Sequence, residues 1–458
     1  MFKKILKSIL RRYDSPRRLS RLLGVYAGVE PPLSTLDDVA VSLISKLVSR
    51  IASRVGVSEG YLKGYLREPY MRRGLASLIL GFLTHGVTMP QRIYAPFMIV
   101  WDFTKRCNLK CAHCYASATP QGAPDELDLE GKLEVLRQVD EAGVAILALS
   151  GGEPLLSRDF WVIARRASRA GILVSVATNG TLITRSVARR LKDAGVRYVE
   201  VSIDSPIPEA HDRFRGVKGA WDMAVRGVRN AKAEGLSVGI AFTVTKLNQG
   251  DVEELLRLAK ELGVDAVVAF NFIPTGRGKS IVSLDLNPYE RYEFLKKLYK
   301  AWRDLGLQVY STAPMYSLIT IAKGGLASHF LAFNDSSSFP VAPIAIAELI
   351  GGCGAGITYM AIEANGDAQP CVFIPIRIGN VLRDGLLNIW HNSPVLNELR
   401  DREHNYMCGG GTCQFKYICG GCRARAYAYY GNLKGPDPGC PFNQVNRSSL
   451  KILDNTYN

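Results

Sequence analysis

The 458-residue chain has no apolar run of the roughly 18 to 20 uncharged residues that a bilayer span needs. The nearest, Gly74 to Pro90, is too short and contains His85, so an integral membrane protein is excluded. The opening MFKKILKSILRR has no small-residue cleavage site after an apolar core, which argues against a secretory signal. The expected compartment is therefore the cytoplasm. There is no low-complexity stretch, and 47% hydrophobic with 22% charged residues rules out disorder, collagen or a minimal disulfide scaffold as a description of the whole. Cysteine is missing from the 238 residues between Cys114 and Cys353. Ten cysteines confined to two places are not the scattered small hydrophobes of an ordinary cytosolic protein. Acidic residues are also scarce, 42 against 57 basic, leaving a net charge of +15.

The length suggests two or three folding units, and the pattern divides accordingly. Residues 1–95 read as a basic amphipathic helical extension. Phe2, Ile5, Leu6, Ile9, Leu10 and Tyr13 follow one helix face, and Lys3, Lys4, Lys7, Arg11 and Arg12 occupy the other. Residues 1 to 22 hold eight basic side chains and one acid, nearly half of the excess charge. A second helix is expected from Thr35, capped with the help of Asp38, to about Val55, and a third from Arg72 to Phe82.

From Pro96 strand-like runs alternate with amphipathic helices. The expected strands are Phe97 to Phe103, Val144 to Ser150, Leu173 to Thr178, Tyr198 to Ile203, Ser237 to Thr245 and Ala266 to Ile273. Such alternation implies a parallel sheet with right-handed crossovers, and six units make a partial (β/α)6 barrel of the TIM type within 96–285. Residues 286–348 read as a helical and loop linker, 349–445 as a Cys-rich, Gly-rich unit, and 446–458 as a tail.

Cys107, Cys111 and Cys114 lie in the loop after the first strand, on the face where barrel enzymes gather their chemistry. Three thiolates so spaced can hold three irons of a 4Fe–4S cluster and leave the fourth open. A zinc site would need a fourth nearby ligand, for which His113 is available in sequence.

This C-x3-C-x2-C loop, followed by Tyr115, resembles that of the radical S-adenosylmethionine (radical SAM) enzymes, over about 350 residues from Pro96 to Phe442. The resemblance implies that the open iron binds the amino and carboxylate groups of S-adenosylmethionine, whose reductive cleavage yields a hydrogen-abstracting 5′-deoxyadenosyl radical. Gly151, Gly152, Glu153 and Pro154 match the family's GGEP turn, which meets the methionyl amino group. Thr178, Asn179, Ser202 and Asp204 resemble positions near the ribose and carboxylate. In His211 to Gly216, similar to HDxxRG, Arg215 would grip the carboxylate. Asn248 and Gly276-Arg277-Gly278 match looser features, where a plain surface turn serves as well.

The second set, Cys353, Cys371, Cys408, Cys413, Cys419, Cys422 and Cys440, resembles the SPASM extension, an iron–sulfur domain with two auxiliary 4Fe–4S clusters. The interval x4-x5-x2 from Cys408 to Cys422 departs from the commonest form. By analogy Cys408, Cys413, Cys419 and Cys440 would hold the outer cluster, and Cys353, Cys371 and Cys422 the inner one, with an open iron or a non-cysteine ligand. A zinc ribbon is the alternative for the last four.

Auxiliary clusters imply net oxidation, including carbon–carbon bond formation, with electrons supplied by a reductant such as ferredoxin or flavodoxin. The basic N-terminus suggests a peripheral place at the inner face of the membrane and, as leading substrate, a membrane isoprenoid lipid whose chains are bridged. The competing reading packs these helices on the barrel. The alternative functions are haem or porphyrin side-chain modification, peptide maturation, and non-enzymatic iron–sulfur electron transfer. No nucleic-acid partner is expected, because no recognised module accompanies the charge. Tyr359, Tyr316 and His329 are candidates for quenching a substrate radical.

Overall fold

The structure, a computed structural model, describes residues 13–55, 58–323, 326–327, 332–333, 343–404 and 408–443. The first basic helix up to residue 12, His329 and the tail lie outside these residues. Seven parallel strands run in chain order: β1 (Met98–Thr104), β2 (Ile146–Gly151), β3 (Leu173–Thr178), β4 (Val196–Ser202), β5 (Ser237–Val244), β6 (Ala266–Asn271) and β7 (Gln308–Ser311). Helices including Leu129–Glu141, Phe160–Arg169, Arg185–Asp193, Ala220–Ala233 and Val252–Glu261 fill the crossovers. The six expected strands are all present. β7, only four residues long, lies inside the stretch read as linker. A short pair, β8 (Leu326–Ala327) and β9 (Ala332–Phe333), stands apart from the main sheet. The Cys-rich unit then contributes β10 (Tyr359–Ile362), which pairs parallel with β1, followed by antiparallel β11 (Asp367–Gln369) and β12 (Gly379–Asn380). One sheet therefore joins the barrel to the Cys-rich unit.

Alternation along the strands explains why this barrel is hollow. On β4, Val199 and Val201 point outward to the helices and are fully buried, which leaves Tyr198, Glu200 and Ser202 pointing inward. Ala148, Ser150, Ser175, Ala177 and Ala241 on the neighbouring strands also line the interior. Where the common barrel fills its centre with layers of large branched side chains, these small ones leave space.

The N-terminal helices Pro16–Tyr26, Thr35–Val55, Glu59–Tyr65 and Pro69–His85 have their own core of Leu19, Leu22, Leu23, Tyr26, Ala40, Ile44, Leu66, Ala76 and Leu80. The helix from Thr35 matches its expected span, but Asp37 rather than Asp38 holds its start, accepting hydrogen bonds from Leu33 N (2.8 Å) and the Tyr13 hydroxyl (2.5 Å). Helix Pro69–His85 packs on the barrel. A Cβ at Gly74 would lie 2.3 Å from the Phe97 ring, and one at Gly81 would lie 2.4 Å from the Arg92 carbonyl oxygen, so both glycines permit close approach. Buried Arg73 fastens it, donating from Nε to Val144 O (2.7 Å), from Nη1 to Asp140 Oδ1 (2.8 Å) and Ala170 O (3.1 Å), and from Nη2 to Asp140 O (2.8 Å). The face of helix 69–85 that bears Arg73, Gly74 and Gly81 is thus occupied by the protein itself, while the amphipathic face expected on residues 2–12 lies outside the described residues. Among the described residues no helix is long and apolar enough to cross a membrane.

Arg73→Ala would strand the Asp140 carboxylate and three carbonyls. A loss of about 3 kcal/mol is expected, visible as a lowered unfolding midpoint.

Candidate active site

The loop after β1 is held from three directions. Glu126 accepts hydrogen bonds from Thr104 Oγ1 (2.8 Å), Lys105 N (2.7 Å) and Ala123 N (3.0 Å). From the helix Pro208–Arg215, the carbonyls of Arg215 and Phe214 accept from Lys110 N (3.1 Å) and Ala112 N (3.0 Å). After β6, Arg277 donates from Nε to Cys111 O (3.0 Å) and from Nη1 to Ala118 O (2.5 Å). Gly276, at φ +55°, lies so near that a Cβ would stand 2.2 Å from Tyr115 O. Gly276 and Arg277 are therefore more than a surface turn; they clamp the cysteine loop, and Arg277 also lines the barrel cavity.

A cavity of ≈ 760 Å³ runs through the barrel, and the six cysteines 107, 111, 114, 353, 371 and 422 all wall it. Cys408, Cys413, Cys419 and Cys440, also in the Cys-rich unit, do not. Burial pushes the Cys107 thiol up to about 11 and Cys371 up to about 12, so forming thiolates here requires compensation by a bound cation. The surroundings are prepared for such charge. Cys107 Sγ accepts from Leu109 N (3.4 Å) and Asn179 Nδ2 (3.9 Å), and Cys111 Sγ from Arg215 Nη1 (3.7 Å). Cys408 Sγ accepts from Arg423 Nη2 and Asp437 N, both 3.4 Å, and Cys419 Sγ from Gly421 N (3.4 Å). N–H donors aimed at sulfur are what iron-bound thiolates use to spread their charge, so the donor set fits iron–sulfur clusters. Among the described residues no three His, Cys, Asp or Glu side chains converge on one metal ion.

Of the residues expected at S-adenosylmethionine, Gly151, Gly152, Thr178, Asn179, Ser202 and Arg215 line the cavity, while Glu153, Pro154 and Asp204 stand behind it. A Cβ at Gly152 would lie 2.1 Å from Arg106 O, which explains the Gly-Gly turn as a surface pressed on the cysteine loop. Fully buried Glu153 accepts from Thr178 Oγ1 and Asn179 N (both 2.9 Å) and from Leu155 N (3.2 Å). It ties the turn to the end of β3. Burial pushes its carboxyl up to about 7 against those hydrogen bonds. Asp204 accepts from Arg215 Nε (2.6 Å) and Thr243 N (2.8 Å), so two residues expected to meet the cofactor separately are paired with each other. Asn248 Nδ2 donates to Asp204 O (2.8 Å) and Thr243 O (3.0 Å), bracing that loop.

Sequence reasoning missed the deeper wall: Tyr198, Glu200 and Tyr310. A Cβ at Gly239 would lie 1.8 Å from the Tyr198 hydroxyl, so the glycine makes room for it. Burial alone pushes the Glu200 carboxyl up to about 7. The available signal was the lone acid at an inward position of VRYVEVS. Of the three quenching candidates, Tyr359 lines the cavity, buried Tyr316 does not, and His329 is outside the described residues.

Glu200 gives a pH-dependent prediction. A folded pKa above that of the unfolded carboxyl means that the folded state binds more protons between about pH 4.5 and 7, so this contribution to stability falls as pH rises through that window. Glu200→Gln should stabilise the fold at pH 8 by about 1–3 kcal/mol, seen as a raised unfolding midpoint, and leave it nearly unchanged at pH 4.5. That is checked by thermal scans of anaerobic holoenzyme at both pH values.

Comparison with known proteins agrees with this geometry. Residues 101–259 match the model of the radical SAM superfamily and 353–422 that of the iron–sulfur cluster-binding domain, SPASM. An AdoMet-dependent heme synthase from Methanosarcina barkeri is 34% identical over 76% of this chain and 96% of its own. The chain belongs to the radical SAM superfamily. Other relatives of this radical SAM enzyme include a pre-heme d1 synthase from Dinoroseobacter shibae, 33% identical over 78% of this chain and 89% of its own, and the mycofactocin maturase MftC from Mycobacterium tuberculosis, 30% identical over 76% and 83%. The fold matches Streptococcus suis SuiB bound to S-adenosylmethionine with a TM-score of 0.62, 18% identity and coverage of 89% of this chain and 90% of that one. S-adenosylmethionine and iron–sulfur clusters are its cofactors.

Proposed function

We propose that this radical SAM enzyme oxidatively modifies a side chain of an iron tetrapyrrole. The observation that carries the reading is identity of 33–34% with a heme synthase and a pre-heme d1 synthase over at least three quarters of the chain. This reverses the ranking drawn from the sequence, where a membrane lipid stood first. The lipid reading leaned on the N-terminal helices, and helix 69–85 is spent on the barrel. No relative named above is a lipid enzyme, and carbon–carbon bridging has no separate support.

When bound, the three 4Fe–4S clusters and S-adenosylmethionine supply hydrogen-atom abstraction and a route for the electron that must then leave. Cys107, Cys111 and Cys114 hold the first cluster. The inner auxiliary cluster falls to Cys353, Cys371 and Cys422, and the outer one to Cys408, Cys413, Cys419 and Cys440. Gly151, Gly152, Thr178, Asn179, Ser202 and Arg215 contact S-adenosylmethionine, positioned by Glu153, Pro154 and Asp204. The wall bearing Tyr115, Phe270, Phe272, Tyr310 and Phe373 offers flat apolar surfaces to a macrocycle. Both sets of inward cysteines share this one space, so a substrate there lies between the group that starts the reaction and the group that takes its electron. A reductant such as ferredoxin or flavodoxin primes the cycle.

The test is anaerobic incubation of reconstituted enzyme with dithionite, S-adenosylmethionine and an iron porphyrin bearing free carboxylate side chains. A porphyrin-fraction mass change is expected. A second reading, peptide maturation, draws on the 30% identity to mycofactocin maturase; it requires the mass change in a peptide instead.

A further inference from the structure

Tyr359 opens β10, where it pairs with Met98 of β1, and its carbonyl accepts from Gly356 N (2.9 Å) while its own N–H donates to Gly354 O (3.2 Å). Backbone bonds on both sides fix where the ring goes. The ring forms part of the cavity wall, and its hydroxyl donates to Cys371 Sγ at 2.6 Å. Cys353 and Cys422 line the same cavity. Three sulfurs of the Cys-rich unit and this phenol thus wall one space, with Cys371 in direct contact with the hydroxyl. The other sulfurs described above receive donors from backbone N–H, arginine or asparagine; Cys371 receives one from a side chain that also faces the space where substrate would bind.

We propose that Tyr359 is a positioning residue for electron transfer: its hydroxyl hydrogen-bonds the Cys371 sulfur and tunes the potential of the inner auxiliary cluster, and its ring forms part of the cavity wall beside that cluster's cysteines. A hydrogen bond to a cluster sulfur favours the reduced, more negative state and so raises the potential. The effect matters because one electron must pass from a substrate-derived radical to this cluster, and from there to an external acceptor of the ferredoxin class. A lower potential at the cluster slows the first transfer and lets the radical revert. This inference rests on the grouping of Cys353, Cys371 and Cys422 proposed above.

The experiment is an anaerobic EPR-monitored redox titration of full-length reconstituted holoenzyme, wild type beside Tyr359→Phe and Tyr359→Leu, with iron counted in each. Wild type should hold about twelve irons. Tyr359→Phe should keep them, shift one auxiliary signal to lower potential without moving the other two, and lower several-fold the ratio of oxidised product to 5′-deoxyadenosine. Tyr359→Leu, which removes the ring as well, should make the same potential shift and a larger fall in that ratio. Full iron with an unmoved potential in Tyr359→Phe would overturn the proposal. Loss of about four irons from Tyr359→Phe would also overturn it, because the phenol would then be a ligand rather than a donor. About eight irons in wild type would show instead that the cysteine grouping is wrong, and would remove the cluster the proposal needs.

Discussion

Replacing Cys107, Cys111 and Cys114 together by alanine is expected to abolish 5′-deoxyadenosine formation, a loss of ~10³-fold or more, and to lower the iron content by about four per chain. The size follows from where the thiols sit. They project from one loop into the cavity, and the N–H donors of Leu109, Asn179 and Arg215 are aimed at two of them. No other described cysteine lies on that side of the barrel to take their place. The loop itself should survive, because Glu126, Arg277 and the carbonyls of Phe214 and Arg215 hold its backbone rather than its sulfurs. Circular dichroism and the unfolding midpoint of the triple variant separate a lost cluster from a lost fold. Deoxyadenosine produced at an undiminished rate would remove these residues from the chemistry.

Loss of the inner auxiliary thiols should have the opposite signature. With Cys371→Ala and Cys422→Ala combined, S-adenosylmethionine cleavage should continue while oxidised product falls by ~10²-fold. The two sets of cysteines line the same cavity from different units, the loop after β1 for the first, and for the second the segments flanking β10 and β11 together with Cys422 at the start of helix Arg423–Tyr430. On the proposed function the first set would serve the start of the reaction and the second the exit of the electron. An abstracted hydrogen with no electron acceptor leaves a radical that can only take hydrogen back. Deuterium from a deuterated substrate should then accumulate in recovered S-adenosylmethionine or deoxyadenosine without net product, as mass spectrometry would show. Product formed at the parental rate with the inner cluster absent would mean that the electron leaves by another path.

The features legible in the sequence were those written over short distances. A C-x3-C-x2-C loop, a Gly-Gly turn and six apolar runs each lie within a dozen residues, and each appears where expected. What escaped depends on pairing across the sheet. Whether Glu200 faces helices or cavity follows from the burial of Val199 and Val201 on either side; its partners in register are the small Ala177 on β3 and Gly239 on β5, where the Tyr198 hydroxyl takes the place of a side chain. The Asp204–Arg215 ion pair joins residues that separately matched cofactor positions; nothing in their spacing of 11 showed that one would occupy the other. The N-terminal helices gave the plainest ambiguity. An apolar face beside basic residues is equally suited to lipid or to protein, and only the burial of Arg73 against Asp140, Val144 and Ala170 decides for helix 69–85. Likewise β10 could not be read as an extension of the barrel, because four residues in a Gly-rich stretch carry almost no periodicity.

Hydrogen abstraction and electron removal are proposed to act together on an iron tetrapyrrole inside this barrel. Anaerobic single-turnover incubation of the holoenzyme with dithionite, S-adenosylmethionine and a carboxylate-bearing iron porphyrin tests it most directly, with the porphyrin and deoxyadenosine fractions both read by mass spectrometry. A porphyrin product of altered side-chain mass is expected, formed in proportion to deoxyadenosine. Deoxyadenosine formed with the porphyrin unchanged, while a peptide or lipid fraction from the same host gains or loses mass, would contradict it.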